Sequence, residues 1–476
     1  MPAVIAQARL TALRERLGER AVLTDPQQTA PYLTDHRKLY RGAALAVVEP
    51  SSVEQVQALL HWCNAQRIGV VPQGGNTSYC GGATPDDSGT QVVLSMRRLN
   101  RIRAVDAANF SLIAEAGCTL SSVQGAAAAA DRLFPLSLGS EGSCQIGGNL
   151  STNAGGTAVL RYGMTRDLVL GVEAVMADGE LFCGLVALRK DNTGYDLRNL
   201  LIGSEGTLAV ITAASLKLFP AIRTRATAWV SLPDPASAIA LLGQLRQTSG
   251  DALTGCELAP QVALQLVLQH VPGTRDPGGA AAPWYLLVEL SSSGEADLDA
   301  LLEHTLARAI EEGVALDAVL ARSLDQRKAF WKLRETIPEA QRAAGGSLKH
   351  DIAVPVACLP AFIERGAAIA ARLAPEGYLV AYGHAGDGNL HFNLNQREGA
   401  DEAAFLAREP ALKRALHDLA AQMNGSISAE HGIGQLKVEE LERYAPAAEL
   451  TAMRRIKQAL DPNNILNPGK VLRSRS

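Results

Sequence analysis

The sequence predicts an α+β protein with two main domains, and two observations support this. At 476 residues the chain is too long for one typical hydrophobic core. Its pattern also changes near Pro220, from short strands with glycine-rich turns to longer helices that alternate with strands. The second pattern is typical of an antiparallel sheet covered by helices.

The first domain is assigned to residues 40–220, after a helical segment at residues 1–39 in which apolar residues recur at helical spacing. Within it, ALAVVEP, SSVEQVQALLHWCNAQ and GVVPQGG predict a strand, a helix that starts at the serine pair, and a strand that enters a glycine-rich loop. Further on, CTLSSVQGAAAAADR predicts a helix, and LVLGVEAVMADGELF predicts a hairpin that turns at Asp178-Gly179.

The second domain is assigned to residues 221–424. TRATAWVSL, YLLVELSS and SLKHDIAV predict strands, whereas PASAIALLGQLRQ, DLDALLEHTLARAIEEG and RKAFWKLRETIPEAQRA each predict one helix. Residues 425–476 then form a C-terminal segment that ends in the turn-rich sequence LDPNNILNPGK.

Composition excludes several classes of protein. The net charge of −4 gives no electrostatic argument for nucleic-acid binding. No run of about 20 apolar residues predicts a membrane span. The seven cysteines are scattered without a CxxC pair, which disfavours iron–sulfur clusters and zinc ribbons and fits a reducing, cytoplasmic location. If the protein moves electrons, its electron acceptor is external.

The segment GHAGDGNLHFN carries the most specific chemical signal, since Asp387-Gly388 predicts a two-residue hairpin turn. The predicted register pairs Gly386 with Asn389, Ala385 with Leu390, and His384 with His391. Opposed residues have Cβ atoms about 5 Å apart, so the two imidazoles are placed to share one metal ion. Asn389 and Asn393 are expected on the same face, where an amide is able to contact substrate or metal.

An isolated pair of this kind is more simply interpreted as two ordinary strand histidines. A second cluster, SAEHGIG, changes the balance because it supplies Glu430 and His431. Two imidazoles and one carboxylate form an open three-ligand site for a divalent metal, and His431 remains as a base. That the two segments meet in space is a hypothesis at this stage.

Three segments rich in Gly, Ser, Thr and Asn lie in the first domain. VPQGGNTSYCGG follows a predicted strand and exposes backbone N–H groups of the kind that hold phosphate oxygens. It is neither a P-loop nor a GxGxxG fingerprint. With PLSLGSEGSCQIGGNLSTNAGG and LLIGSEGTLAVIT, it suits a long cofactor with a pyrophosphate.

Seven ordered motifs, PQGGNTS, FPLSLGSEG, GGNLSTNAGG, NTGYDLRNLLIGSEGTLAVIT, GHAGDGNLHFN, SAEHGIG and DPNNILNPGK, carry a family resemblance. The chain resembles the FAD-linked dehydrogenases of the vanillyl-alcohol oxidase and p-cresol methylhydroxylase (PCMH) superfamily. The branch is the one that acts on D-2-hydroxy acids, such as the D-2-hydroxyglutarate and D-lactate dehydrogenases. The resemblance implies a PCMH-type FAD-binding domain, an antiparallel-sheet cap domain for the substrate, and a C-terminal segment that returns to the FAD domain.

The resemblance also implies which residues line FAD. Those residues are Pro72, Gly74, Gly75, Asn76, Thr77, Ser78, Gly139, Ser140, Gly148, Thr152, Gly155, Glu205, Gly206, Ile211 and Asn467. Family members with covalent FAD often use a histidine in the first loop, which this chain lacks. We therefore expect non-covalent FAD.

The remaining implied roles concern metal and substrate. His384, His391 and Glu430 match the family's ligands for zinc or a similar divalent metal, and His431 matches its proton acceptor. Arg334 and Lys349 match cations that bind substrate carboxylates, although solvated surface charge is the commoner fate of such residues. Pro338 stands where a hydroxyl residue is expected, which weakens the case for a five-carbon diacid.

The predicted function is FAD-dependent oxidation of a D-2-hydroxy acid, with D-2-hydroxyglutarate as the favoured substrate. D-lactate or glycolate is the nearest alternative. A non-redox FAD enzyme of the alkylglycerone-phosphate synthase kind and a catalytically silent flavin-binding subunit are the others. The resemblance suggests an electron-transfer flavoprotein as acceptor, with a quinone or cytochrome as the fallback, and a homodimer is the expected assembly.

Overall fold

The computed structural model describes residues 3–473, and these divide into two compact units. The first unit holds the chain up to Gly156, Tyr162–Ala221, and the chain from Glu430 onwards. The second unit holds Thr157–Arg161 and Ile222–Ala429. The described part of the leading segment 1–39 belongs to the first unit, and the chain re-enters that unit at residue 430.

The first unit contains two principal sheets and a short strand pair. Its strands are β1 Val22–Leu23, β2 Ala46–Val48, β3 Val70–Gln73, β4 Val92–Ser95, β5 Ile102–Asp106, β6 Ser111–Glu115, β7 Arg132–Leu133, β8 Val169–Val175, β9 Leu181–Gly184, β10 Val210–Lys217 and β11 Phe219–Pro220. One sheet has the order β1-β2-β4-β3, with parallel pairing of β4 to both neighbours. The other has the antiparallel order β5-β6-β10-β8-β9, and β7 pairs with β11.

The helices of the first part of the chain are α1 Ala3–Leu17, α2 Pro26–Thr29, α3 Val53–Gln66, α4 Leu120–Ala129, α5 Ile146–Ser151, α6 Val159–Tyr162 and α7 Leu197–Leu201. Of these, α1, α3, α4 and α5 contact the strands of the first unit, whereas α6 belongs to the second unit up to Arg161. The Ser52 side chain caps α3 by accepting a hydrogen bond from the Gln55 N–H, as the serine pair predicts. The predicted hairpin at Asp178-Gly179 joins β8 to β9.

The second unit is one eight-stranded antiparallel sheet between two layers of helices. Its strands are β12 Thr224–Leu232, β13 Leu253–Pro260, β14 Trp284–Ser292, β15 Asp317–Leu320, β16 Ser347–Leu348, β17 Asp351–Ala353, β18 Gly377–His384 and β19 Asn389–Gln396. The order is β15-β12-β14-β13-β18-β19-β16, and β17 also pairs with β19. Alternate residues of each strand therefore serve two separate cores.

The helices of the second unit are α8 Pro235–Ser249, α9 Gln261–His270, α10 Leu298–Glu311, α11 Leu324–Glu335, α12 Ile337–Ala343, α13 Leu359–Leu373, α14 Glu402–Leu406 and α15 Glu409–Gln422. Buried residues of α8, α10, α13 and α15 pack on one face of the sheet. Buried residues of α9, α11 and α12 pack on the other. In the first unit, α16 Val438–Tyr444 and α17 Ala447–Leu460 precede the C-terminal tail. None of the helices α13–α17 was predicted from the sequence.

The prediction of one helix over RKAFWKLRETIPEAQRA was wrong. The segment forms α11 and α12, with a break at Thr336, because Pro338 has no N–H to continue the hydrogen bonds of α11 and instead occupies the first turn of α12. The predicted strand SLKHDIAV is likewise two short strands, β16 and β17, separated by Lys349 and His350.

The predicted register of the histidine hairpin was also wrong. His384 pairs with Asn389, and His391 pairs with Tyr382. The loop is Ala385–Gly388, four residues rather than two, and the Gly388 N–H donates to the His384 carbonyl at 3.2 Å. The register differs by two positions, so both imidazoles remain on one face as diagonal neighbours.

Gly388→Ala tests the geometry of this loop. Gly388 has a φ of +81°, and an added Cβ would overlap the carbonyl oxygen of Val354. We expect a loss of about 2 kcal/mol or more in the free energy of unfolding, measured by urea denaturation. The control Gly243→Ala lies inside α8, where an added Cβ meets no atom within 4 Å. We expect that variant to gain up to about 1 kcal/mol. Equal effects of the two substitutions would contradict the loop geometry.

Candidate active site

Four neighbouring strands of the second unit bring two histidines and two carboxylates to one face of the sheet. Glu257 on β13 is opposite His384 on β18, and Asp351 on β17 is opposite His391 on β19. The imidazole centroids of His384 and His391 are 5.9 Å apart, with an interplanar angle of 72°. The row therefore runs carboxylate, imidazole, imidazole, carboxylate.

Each carboxylate lies beside the Nδ1 atom of its histidine. Glu257 Oε1 is 2.6 Å from Nδ1 of His384, and Asp351 Oδ1 is 4.0 Å from Nδ1 of His391. A carboxylate on Nδ1 orients the ring and leaves Nε2 for a metal, the usual arrangement behind histidine ligands. The bond of His384 is well formed, whereas the distance at His391 is beyond an ordinary hydrogen bond.

Arg334 is buried against this row rather than solvated, so it is not an ordinary surface charge. Its Nε and Nη2 atoms each lie 2.8 Å from Glu257 Oε2, and its guanidinium is 4.8 Å from the ring centroid of Tyr382. Burial alone would raise the pKa of Glu257, but the adjacent His384 and Arg334 bring that pKa below its ordinary value. Glu257 is therefore a carboxylate that binds both partners.

The other two predicted substrate residues lie on or next to the same strands. Asn393 is buried on β19; its Nδ2 donates to Gln341 Oε1 at 3.0 Å, and its Oδ1 accepts from the His350 N–H at 3.2 Å. Lys349 is half-buried between β16 and β17. The amide of Asn393 thus fixes the chain next to Lys349.

The three predicted metal ligands are divided between the two units. His384 and His391 belong to the second unit, where their ring centroids are 5.9 Å apart, and Glu430 begins the C-terminal part of the first unit. Glu430 directly follows the last residue of the second unit in the chain, and its Oε1 accepts a hydrogen bond from the Gly156 N–H at 2.9 Å. Two imidazoles with a carboxylate suit a divalent cation such as zinc and leave coordination positions open.

Within the first unit, the loop after Glu430 is held by several contacts. The ring of His431 is 4.7 Å from that of Tyr79. Glu205 accepts two backbone hydrogen bonds of 2.7 Å, from the N–H groups of Ile433 and Gly434. Burial raises the pKa of Glu205 above its ordinary value, although both N–H groups act in the opposite direction. Glu205 thus clamps the loop that carries His431.

The predicted FAD-lining residues all belong to the first unit. Pro72 lies in β3, and the loop Gly74–Ser78 that follows this strand is half-buried. An added Cβ would meet no atom within 4 Å at Gly139 or at Gly148. Their bare backbone therefore faces open space, which fits the close approach of a cofactor.

The other members of this set lie on the segments around those glycines. Ser140, Thr152, Glu205 and Gly206 lie on turns, Gly155 follows the end of α5, and Ile211 lies on β10. The side chains of Asn76 and Asn467 already bind protein carbonyls: Asn76 contacts Thr34 at 2.9 Å, and Asn467 contacts Gly82 and Glu205, each at 2.8 Å. These two asparagines therefore shape the loops through their amides.

Three residues of these clusters, Glu257, Asp351 and Tyr79, were not predicted from the sequence. A signal for Glu257 was present, because it is the one charged residue of the apolar segment LTGCELAP. A charge in a buried strand needs a partner. The identity of that partner depends on the order of strands in the sheet, which no local pattern contains.

Two family models and several solved structures are similar to this chain. The family model "FAD binding domain" matches residues 44–183, and "FAD linked oxidases, C-terminal domain" matches residues 222–471. A solved structure of p-cresol methylhydroxylase with substrate bound has a TM-score of 0.77 at 18% identity, covering 99% of this chain and 98% of that one. One of alkyldihydroxyacetonephosphate synthase has a TM-score of 0.73 at 16% identity, covering 98% and 85%. The fold is of the PCMH type, and the chain is a FAD-dependent dehydrogenase.

Sequence relatives define the family more closely. The chain is 37% identical to the mitochondrial D-2-hydroxyglutarate dehydrogenase of Arabidopsis thaliana, over 96% of this chain and 80% of the relative. It is 37% identical to the mitochondrial enzyme of the same name from Bos taurus, over 98% of this chain and 84% of the relative, and 36% identical to the D-2-hydroxyglutarate dehydrogenase of Xanthomonas citri pv. viticola, over 97% and 96%. The chain belongs to this family of FAD-linked D-2-hydroxy acid dehydrogenases. Within residues 3–473, no helix is both long and apolar enough to cross a membrane.

Glu205→Gln tests the clamp on the loop of His431. A glutamine has only one acceptor oxygen, so one of the two N–H groups, Ile433 or Gly434, would face an NH₂ donor instead. We expect a loss of about 1–3 kcal/mol in unfolding free energy, measured by urea denaturation of the FAD-loaded protein. Glu180→Gln, at an exposed glutamate of the same unit, is the control. A Glu205→Gln protein as stable as wild type would refute the clamp.

Proposed function

We propose that this protein oxidises D-2-hydroxyglutarate to the 2-oxo acid, with FAD as the hydride acceptor and with assistance from a divalent metal. The substrate is supported by the names of the relatives, which align over nearly the whole chain. The metal is supported by the adjacent imidazoles of His384 and His391, each with a carboxylate on the Nδ1 side, and Glu430 is the proposed third ligand. This pair of imidazoles is the single observation on which the mechanism depends.

The proposed ligand atoms at the two histidines are Nε2, because Nδ1 of each ring faces a carboxylate. Glu257 keeps the ring of His384 in place and is itself neutralised by Arg334. His384, His391 and Glu430 would hold a divalent cation, which when bound would supply Lewis acidity that lowers the pKa of a coordinated hydroxyl group. FAD, when bound, supplies the electron acceptor at N5.

His431 is the proposed base that removes the proton of the substrate hydroxyl. The ring of Tyr79 lies against His431, and Glu205 holds the backbone that follows it, so the imidazole is fixed before substrate arrives. Such pre-organisation raises the rate because no ordering is needed during the reaction.

Lys349 is the proposed partner of a substrate carboxylate, with Arg334 acting mainly through Glu257. Both Arg334 atoms that contact Glu257 point to one carboxylate oxygen, so its charge is already compensated. Asn393 supports Lys349 through the neighbouring His350 backbone. Pro338, at the start of α12, leaves D-lactate or glycolate as the second candidate substrate.

The proposed electron acceptor is external, with an electron-transfer flavoprotein as the first candidate. All seven cysteines are free in the structure, which favours a reducing compartment and a cytoplasmic location.

Anaerobic reduction of the flavin tests the substrate. D-2-hydroxyglutarate, the acid named for the relatives, is expected to bleach the flavin absorbance fastest. D-malate is expected to follow, and the monocarboxylates D-lactate and glycolate to be slowest, because they have no second carboxylate for Lys349. Stopped-flow absorbance measures the rates. If D-lactate or glycolate reduces the flavin fastest, that acid is the substrate instead of D-2-hydroxyglutarate. If none of the four acids reduces the flavin, the proposed oxidation is refuted.

Metal content tests the ligand set. We expect His384→Ala and His391→Ala to lose bound metal, and Glu257→Gln to lower metal affinity about 10–100-fold because the ring of His384 loses its carboxylate. Glu289→Gln is the matched control, since Glu289 is a buried carboxylate on β14, the strand adjacent to β13, and has an arginine partner, Arg327, on α11. Metal is measured by elemental analysis after dialysis against a chelator.

The same series separates the base from the ligands. His431→Ala is expected to keep metal and FAD while its flavin is reduced far more slowly. Metal retained in both histidine-ligand variants, or lost equally in Glu289→Gln, would overturn the ligand assignment.

A further inference from the structure

A largely buried row of polar side chains lies on one face of β19, in the second unit. Asn389, His391, Asn393 and Asn395 alternate along this face, whereas the residues between them pack into an apolar core on the other. Asn393 is 3% exposed and Asn395 is fully buried. A buried amide is costly unless its donor and its acceptor are both used, so the partners of the two asparagines define the role of the row.

The partner that these asparagines share is Gln341 on α12, which is itself fully buried. Its Nε2 donates to Asn395 Oδ1 at 2.7 Å, and its Oε1 accepts from Asn393 Nδ2 at 3.0 Å. Its backbone carbonyl accepts from Asn395 Nδ2 at 2.8 Å. One glutamine therefore joins α12 to two positions of β19.

Backbone groups at both ends fix the direction of every hydrogen bond in this series of amides. The Gln341 carbonyl is only an acceptor, so Asn395 must turn Nδ2 towards it and Oδ1 towards Gln341 Nε2. At the other end the His350 N–H is only a donor, and it donates to Asn393 Oδ1 at 3.2 Å. Gln341 Oε1 and Asn393 Nδ2 then face each other. A flip of any one amide would set two donors or two acceptors against each other.

The His350 N–H lies where the ladder along β19 is interrupted. β16 and β17 pair with β19 in one continuous register, and Lys349 and His350 lie between these two strands. There a side chain, that of Asn393, supplies the acceptor for the His350 N–H. The position of the Lys349 backbone therefore depends on the amide of Asn393, and the orientation of that amide depends on Gln341.

We propose that Gln341 is a positioning residue that sets the preference of the enzyme for dicarboxylic acids. It acts through Asn393 and the His350 N–H to hold Lys349 where the second carboxylate of the substrate binds. This inference rests on the proposed function, which assigns that carboxylate to Lys349. A cation that is fixed in advance binds its anion with a smaller ordering cost, so the gain is confined to ligands with a second carboxylate.

Calorimetric titration of the FAD-loaded enzyme with 2-oxoglutarate and with pyruvate tests the proposal without turnover. These are the products expected from D-2-hydroxyglutarate and D-lactate. Gln341→Met keeps the length of the side chain but removes both of its hydrogen-bonding atoms. We expect it to weaken 2-oxoglutarate binding about tenfold and pyruvate binding less than about twofold, because only the first acid has a carboxylate for Lys349.

Gln244→Met is the matched control. Gln244 lies on α8, on the opposite face of the sheet, and its amide also donates to a side chain, Glu312 Oε2, at 2.8 Å. An equal loss for both oxo acids in Gln341→Met would indicate a merely structural role and overturn the inference. An unchanged ratio of the two affinities, or the same selective loss in Gln244→Met, would also overturn it. If the wild-type enzyme does not bind 2-oxoglutarate, the proposed substrate is refuted together with this inference.

A double-mutant cycle with Lys349→Met shows whether Gln341 acts through Lys349. We expect Lys349→Met to weaken 2-oxoglutarate binding selectively, and Gln341→Met to add less than about twofold in that background, because the effects of coupled residues are not additive. Additive losses would contradict the route through Lys349. If Lys349→Met has no selective effect, the carboxylate role of Lys349 in the proposed function is refuted as well. A selective effect of Lys349→Met without one of Gln341→Met refutes the role of Gln341 alone.

A second variant covers loss of folding, since Gln341→Met leaves Asn395 Oδ1 without its donor. Combining Gln341→Met with Asn395→Leu replaces both partners of that hydrogen bond by apolar side chains of similar size, which is far less costly than removing one partner. The combined variant still deprives the Asn393 amide of Gln341, so we expect the same selective loss of 2-oxoglutarate binding. If Gln341→Met does not retain FAD, the combined variant decides, and an unchanged ratio of affinities in it would overturn the inference.

Discussion

The carboxylate of Glu257 is the contact around which the second unit organises its chemistry. It is almost fully buried and binds His384 through one oxygen and Arg334 through the other. A buried carboxylate is stable only when its charge is compensated and its lone pairs are used. The pairing of β13 with β18 therefore does more than extend the sheet. It places Glu257 where it orients the ring of His384 and binds the buried Arg334.

In the first unit, backbone groups form the contacts around the candidate site residues, whereas in the second unit charged side chains form them. Glycines at positions 139 and 148 leave open space beside the chain, and the Glu205 carboxylate receives two N–H groups of the loop after His431. Asn467 joins the same region by binding the Glu205 carbonyl. A set of backbone contacts of this kind leaves little freedom in the loop, since each one must be broken for the loop to move.

The histidine hairpin shows how far pattern reasoning reaches. Asp387-Gly388 correctly indicates a reversal of the chain, and alternation correctly places both imidazoles on one face. The pairing of His384 with His391 was nevertheless wrong, because the Asp-Gly signal does not distinguish a two-residue turn from a four-residue loop. The loop length follows from the neighbouring chain, where the Val354 N–H donates to the Gly388 carbonyl. Likewise, Pro338 predicts a break in the helix, whereas the apolar periodicity on both sides of it predicts one continuous helix.

The sequence by itself determined the residue types, the strand and helix alternation, and the ordered motifs that place the chain in its family, because these depend on neighbours close along the chain. Only the tertiary structure decided that Glu257 lies behind His384 and that Glu205 holds the loop of His431. Those pairs are separated by more than a hundred residues, and their contacts follow from the order of strands and the path of the chain. Side-chain chemistry is local, but the position of each partner is set by the whole fold.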